Sequence, residues 1–189
     1  MTVNSLASTG PALAAIVAAV LAVHSPAAAG SAPTEYEVKA AFLYNFSRFV
    51  EWPRAARPAE GQQFVVAVLG RDPFGPALED AFAGKTVLGQ RPHVRRVATP
   101  EEAARAHIVF VSSSEKAQLG RVLAVLGRDG VLTVGDMDGF ARSGGIIGFR
   151  LEQRRVRFDI NPVSAAQAGL RVSSELLKLA RIVSSERGR

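Results

Sequence analysis

The side chains able to do chemistry are few. There is no cysteine, which removes thiol catalysis, thiolate metal ligands and disulfides. The three histidines are His24, His93 and His107, and no pair has the i, i+4 spacing of a zinc motif. His107 opens an apolar run and reads as a core or capping residue ahead of a general base. Asp72, Ser112 and Asp136 could converge, but nothing in their spacing predicts a reaction. No catalytic residue, metal or cofactor is expected, and the chain is not expected to be an enzyme.

Two polar segments follow apolar runs, where open α/β sheets bind ligands. Gly70-Arg-Asp-Pro-Phe-Gly75 sits where a phosphate loop would. It lacks G-x-G-x-x-G, and Pro73 removes an N–H donor, so a tight turn is the favoured reading. Ser112-Ser113-Ser114 lacks G-x-S-x-G and reads first as a helix cap. Asp72, Ser112, Ser113 and Asp136 nonetheless mark a possible ligand crevice.

Arg154, Arg155 and Arg157 form a basic stripe. Arg155 and Arg157 share one strand face, where they could hold a carboxylate or phosphate or simply meet solvent. Tyr44 and Trp52 lie off the main aromatic stripe of their helix, so partial exposure and a contact role are expected of both.

These residues need a scaffold. Thr34 and Glu37 have capping-box spacing ahead of a helix over Glu35–Glu51, with Val38, Ala41, Phe42, Asn45, Phe46 and Phe49 as its apolar stripe. Trp52-Pro53 ends it. Phe64–Leu69, Ile108–Val111 and Val131–Val134 read as strands buried on both faces. Thr86–Leu88 and His93–Val97 are weaker strand candidates. Short helices are expected over 74–82, 100–106 and 136–141, and an amphipathic one over Ser114–Leu126. Ile146–Leu151 and Arg155–Ile160 form a hairpin whose second strand alternates apolar and charged. Asn161 caps a helix over Pro162–Ala168, and Ser173 or Ser174 caps the last one, which carries Leu176 to Val183. Strands alternating with helices give an α/β class. The expected form is a single-domain three-layer αβα sandwich, its sheet mostly parallel with an antiparallel edge hairpin.

The chain has 189 residues, 48% of them hydrophobic and 21% charged, as in globular domains. Its first charged side chain is Glu35. Pro11–Val23 is an uncharged apolar run, too short for the ~20 residues of a bilayer helix. With Ala27-Ala28-Ala29 it reads as a signal peptide over residues 1–29, leaving residues 30–189 as the domain, not membrane-spanning after cleavage. Met1–Gly10 lacks the usual basic residue. The net charge of +6 is spread over scattered arginines. Export and the lack of a basic run argue against nucleic acid.

Taken together, several segments resemble the YfiR-like family. They include Tyr36-Glu-Val-Lys-Ala-Ala-Phe-Leu-Tyr-Asn-Phe46, Phe49-Val-Glu-Trp-Pro53, Val68-Leu-Gly-Arg-Asp-Pro-Phe-Gly75, Val156-Arg-Phe-Asp-Ile-Asn161 and Ala168-Gly-Leu-Arg-Val-Ser-Ser174. The resemblance implies a periplasmic protein of Gram-negative bacteria. It implies a regulator that restrains an inner-membrane diguanylate cyclase by binding its periplasmic portion, lowering cyclic-di-GMP and biofilm formation. It carries no catalytic residues. Relatives often have a cysteine near the position of Ala106, so their redox control has no counterpart here. The expected contact features are the hairpin and exposed parts of the first and last helices. A homodimer is a further expectation. The alternative is a periplasmic small-molecule sensor using the crevice, serving a membrane receptor or sensor kinase.

Overall fold

Caps and apolar runs set the order of elements along the chain. The computed structural model describes residues 32–128 and 130–185; the expected signal peptide lies outside them. The elements are α1 (Glu35–Phe49), β1 (Val50–Glu51), β2 (Phe64–Leu69), α2 (Ala77–Phe82), β3 (Pro92–Val97), α3 (Pro100–Ala103), β4 (Ile108–Val111), α4 (Leu119–Leu126), β5 (Leu132–Gly135), β6 (Ile147–Glu152), β7 (Arg155–Ile160), α5 (Pro162–Gln167), β8 (Arg171–Val172), α6 (Ser174–Leu179) and β9 (Arg181–Ile182).

The main sheet has seven strands in the order β3-β2-β4-β5-β6-β7-β9. β3, β2, β4, β5 and β6 run parallel; β7 returns antiparallel to β6, and β9 runs parallel to β7. Because β2, β4 and β5 are covered on both faces, their side chains divide between two cores. Phe64, Val66, Val68, Ile108, Phe110 and Leu132 face α1. Ala67, Leu69, Val109 and Val111 face α3 and α4, whose Ala103, Val122, Leu123 and Leu126 fill the opposite side. The expected three layers are present.

The capping box of α1 forms as expected. Thr34 Oγ1 accepts the Glu37 N–H at 3.3 Å, and Glu37 Oε2 accepts the Thr34 N–H at 2.5 Å. The buried face of the helix is rotated from the expected stripe, however. Ala40, Leu43 and Phe46 are fully buried and Lys39 and Ser47 nearly so, while Ala41 and Asn45 face solvent. Full burial of a Leu or Phe contributes about 1.5–3 kcal/mol, so the Leu43–Phe46 face sets the docking of the helix.

Other local expectations give way to tertiary partners. Helix α1 stops at Phe49 because Val50 and Glu51 pair with Val172 and Arg171. The last helix stops at Leu179 because Arg181 and Ile182 join β7 as an edge strand. Thr86–Leu88 makes only a Val87–Gln90 bridge across a tight turn. The expected helix over 136–141 is a series of turns. Gly139 has a left-handed φ of 73°, and the Phe140 ring folds back onto Gly135 and Gly145. Ser113–Gln118 is a 3-10 segment leading into α4.

Candidate functional site

The expected crevice lies at the switch between β2 and β4, where chain order reverses across the sheet. It is filled by the protein itself. Ser114 Oγ accepts the Arg71 N–H at 3.0 Å and donates to Glu115 Oε1 at 2.9 Å; Gln118 holds the other Glu115 oxygen at 2.5 Å. A Cβ on Gly70 would stand 2.4 Å from Glu115 Oε1 and Ser114 Oγ, so only glycine admits this carboxylate. Glu115 is buried at 9% exposure, although in the sequence a glutamate near a helix start reads as solvated.

The four crevice residues are placed separately. Ser112 is buried and its hydroxyl accepts the Ser114 N–H, while Ser113 is exposed. Asp72 accepts the Phe74 N–H at 2.8 Å and an ion pair from Arg96 at 2.8 Å. Arg96 also grips Glu79, whose carboxyl it holds below the usual range. Asp136 accepts the Tyr36 hydroxyl at 2.8 Å and Lys39 Nζ at 2.9 Å. Nothing in sequence spacing announced Lys39, although it stands four residues before Leu43 on the buried face. His107 accepts the Val65 N–H at 2.9 Å and stacks on Phe64; burial lowers its pKa, so it serves as a neutral acceptor. No group of acidic or histidine side chains suited to a metal occurs among the described residues.

Trp52 is not exposed, contrary to expectation. Its relative exposure is 1%, and it packs edge-on against Phe64 at the start of β2. The turn into Pro53 carries the indole under the sheet rather than outward, and its Nε1 has no hydrogen-bond partner. Tyr44 is half-buried, edge-on to Phe82 with Lys85 Nζ 4.1 Å from the ring centre.

Arg155 and Arg157 are exposed, and the antiparallel register explains their setting. Glu152 faces Arg155 and Arg150 faces Arg157, so these four share the outer face of the hairpin. Asp159 lies on the same face at 8% exposure, where Arg150 and Arg181 both bond it at 2.9 Å. Arg150 also pairs with Glu152. The hairpin's other face carries Phe149, Leu151, Val156 and Phe158. Near its tip, Leu151, Val156, Val38, Phe42 and Pro33 line a groove of about 490 Å³ between the hairpin and the start of α1. On the outer side, Arg155, Arg157, Leu179 and Arg181 border a second groove of about 320 Å³. The tip itself, Gln153-Arg154, is a two-residue turn with φ of 49° and 61° at side chains that disfavour it.

An α/β sandwich with a committed strand-end crevice and an open, grooved edge hairpin is the class defined by this geometry. Residues 36–181 match the YfiR/HmsC-like family, and the chain belongs to it. That family is known for periplasmic regulation of diguanylate cyclases. Among solved structures, a conserved domain protein from Vibrio cholerae O1 biovar El Tor superposes with a TM-score of 0.57 at 10% identity. The match covers 79% of this chain and 60% of that one, so it bears on the fold alone. No curated protein matches the chain. Among the described residues no helix is long and apolar enough to cross a membrane.

Proposed function

We propose that this protein is a periplasmic regulator that inhibits an inner-membrane diguanylate cyclase by binding its periplasmic portion. Family membership supports the class of role. The observation that carries the mode of action is the surface at the hairpin tip. Leu151 stands 58% exposed beside the groove against α1, which Arg154 and Arg155 also line. An exposed apolar patch rimmed by charge is how contact surfaces are built. Binding, rather than catalysis, is also favoured by Asp72, Ser112 and Asp136 each being engaged in a separate internal contact. The expected leader, Pro11–Val23 with Ala27-Ala28-Ala29, would deliver the chain across the inner membrane.

Inhibition follows from differential affinity. The protein binds one conformation of the partner's periplasmic portion more tightly and shifts the population away from the active state. The test combines capture from the membrane fraction with deletion of the gene. A diguanylate cyclase identified among the captured proteins, lost with Leu151→Asp, and a rise in cyclic-di-GMP on deletion are the expected results. Capture of no cyclase together with unchanged cyclic-di-GMP would overturn the proposal.

A further inference from the structure

Strand β7 has one satisfied side and one open side. Just past β7 the Asn161 N–H donates to Ile146, the residue before β6, and on the other side the Val183 N–H donates to Ile160. Backbone groups alternate along a strand, so Arg155, Arg157 and Asp159 point their amides toward β6, and Val156, Phe158 and Ile160 point away. On that outer side β9 pairs only with Asp159 and Ile160. The chain that would have continued β9 alongside Arg155–Phe158 is coiled into α6 instead. The Val156 N–H and C=O are left without a ladder partner.

The surroundings of this gap are one-sided in charge. Arg150, Arg155, Arg157 and Arg181 stand against Glu152 and Asp159, an excess of two positive charges. Arg155 makes no ion pair among the described residues. Of the five large apolar side chains left exposed among the described residues, Leu179 and Ile182 lie in the α6–β9 segment beside this edge, and Leu151 lies across β7 on β6, opposite Val156.

We infer that the open edge of β7 is a docking strand for an extended acidic segment of a partner. The segment lies alongside Arg155–Phe158, with acidic side chains at alternate positions against Arg155 and Arg157. The side chains between them turn toward the groove of Leu151 and Val156, so apolar residues belong there. Main-chain bonds supply affinity and the alternating side chains supply selection. A second copy of this chain fits poorly, because edge-to-edge pairing would set Arg155 and Arg157 against their own equivalents. Edge charges ordinarily repel other strands; here they repel all but an acidic one.

This deepens the regulatory reading and rests on it for the owner of the segment, yet the edge can be tested without the owner. A fluorescent synthetic peptide alternating glutamate and valine is titrated into the purified protein and followed by anisotropy. A lysine–valine peptide serves as control. Expected are binding of the acidic peptide only, slower hydrogen exchange at the Val156 amide, and at least about tenfold weaker binding in Arg155→Gln/Arg157→Gln. Raising NaCl from about 0.05 to 0.5 M should weaken it too. Both arginines are exposed, so the variant keeps its fold, checked by circular dichroism. No binding, equal binding of both peptides, or binding that leaves Val156 unprotected would show that the arginines only guard the edge. Peptide binding with neither cyclase capture nor a change in cyclic-di-GMP on deletion would sink the regulatory reading and leave the edge standing. Cyclase capture undiminished by the arginine variant would do the reverse.

Discussion

Lys39 Nζ lies 2.9 Å from Asp136 Oδ2 across 97 residues of chain, with side-chain exposures of 6% and 7%. The same oxygen accepts the Tyr36 hydroxyl, and Glu35 reaches Lys39 at 2.6 Å. This cluster ties the first turns of α1 to the end of β5. It thereby sets where α1 meets the hairpin groove.

Removing one partner of a buried pair leaves the other charge uncompensated. Lys39→Ala is expected to cost about 3 kcal/mol, near the low end for such truncations because Tyr36 still bonds Asp136. Urea denaturation measures it. A loss below about 1 kcal/mol would mean the pair behaves as an exposed one.

The cluster also sets an alkaline limit. Burial works to lower the Lys39 pKa, but hydrogen bonds to Glu35 and Asp136 prevail and raise it. Burial, then the bond to Asp136, raises Tyr36. Both groups hold their protons more tightly folded than unfolded. Their contribution is complete below the unfolded values, about 10 for Tyr and 10.4 for Lys, and is lost as pH climbs through the folded ones. Melting temperature should be flat from pH ~8 and fall above ~10. Tyr36→Phe should shallow that fall; an unchanged slope would clear Tyr36 of any part in it.

The hairpin tip carries its own strain. Gln153 and Arg154 both have positive φ, in a two-residue turn that favours Asn-Gly. Replacing Gln153→Asn with Arg154→Gly is expected to raise stability by about 1 kcal/mol, the relief of left-handed strain less the added unfolded-state entropy of glycine. Thermal melting of the double variant reads the gain directly.

Gly145 is required for space. A Cβ there would stand 2.2 Å from the Phe140 ring, itself 1% exposed. Gly145→Ala should cost about 2 kcal/mol through overpacking. Adding Phe140→Leu should recover part of that loss; a double variant no better than the single would point to backbone strain instead.

Much of the scaffold was legible in advance. The strands 64–69 and 108–111, the hairpin, the Thr34–Glu37 box and the Asn161 cap rest on local period or on contacts three residues away. Phe64–Leu69, for instance, needs two apolar faces wherever it lies in the sheet. The site was less legible. The shared face of Arg155 and Arg157 is legible because alternation along a strand is local, while the burial of Trp52 is not, because it depends on where Pro53 turns the chain.

What the sequence determined by itself was the caps and the apolar strands, since these follow from residues within a few positions of one another; which face of α1 is buried, Leu43 and Phe46 rather than Ala41 and Asn45, is set by the sheet it packs on. Only the tertiary structure decided that Lys39 is buried, that Glu115 fills the β2–β4 crevice, and that β9 stops short of Val156. Each of those depends on a partner far along the chain, and two-residue strands such as β1, β8 and β9 have no periodicity to read. The open edge of β7 exists because residues before Arg181 gain more as a helix against the core than as a strand beside Arg155, a balance that packing settles and spacing does not encode.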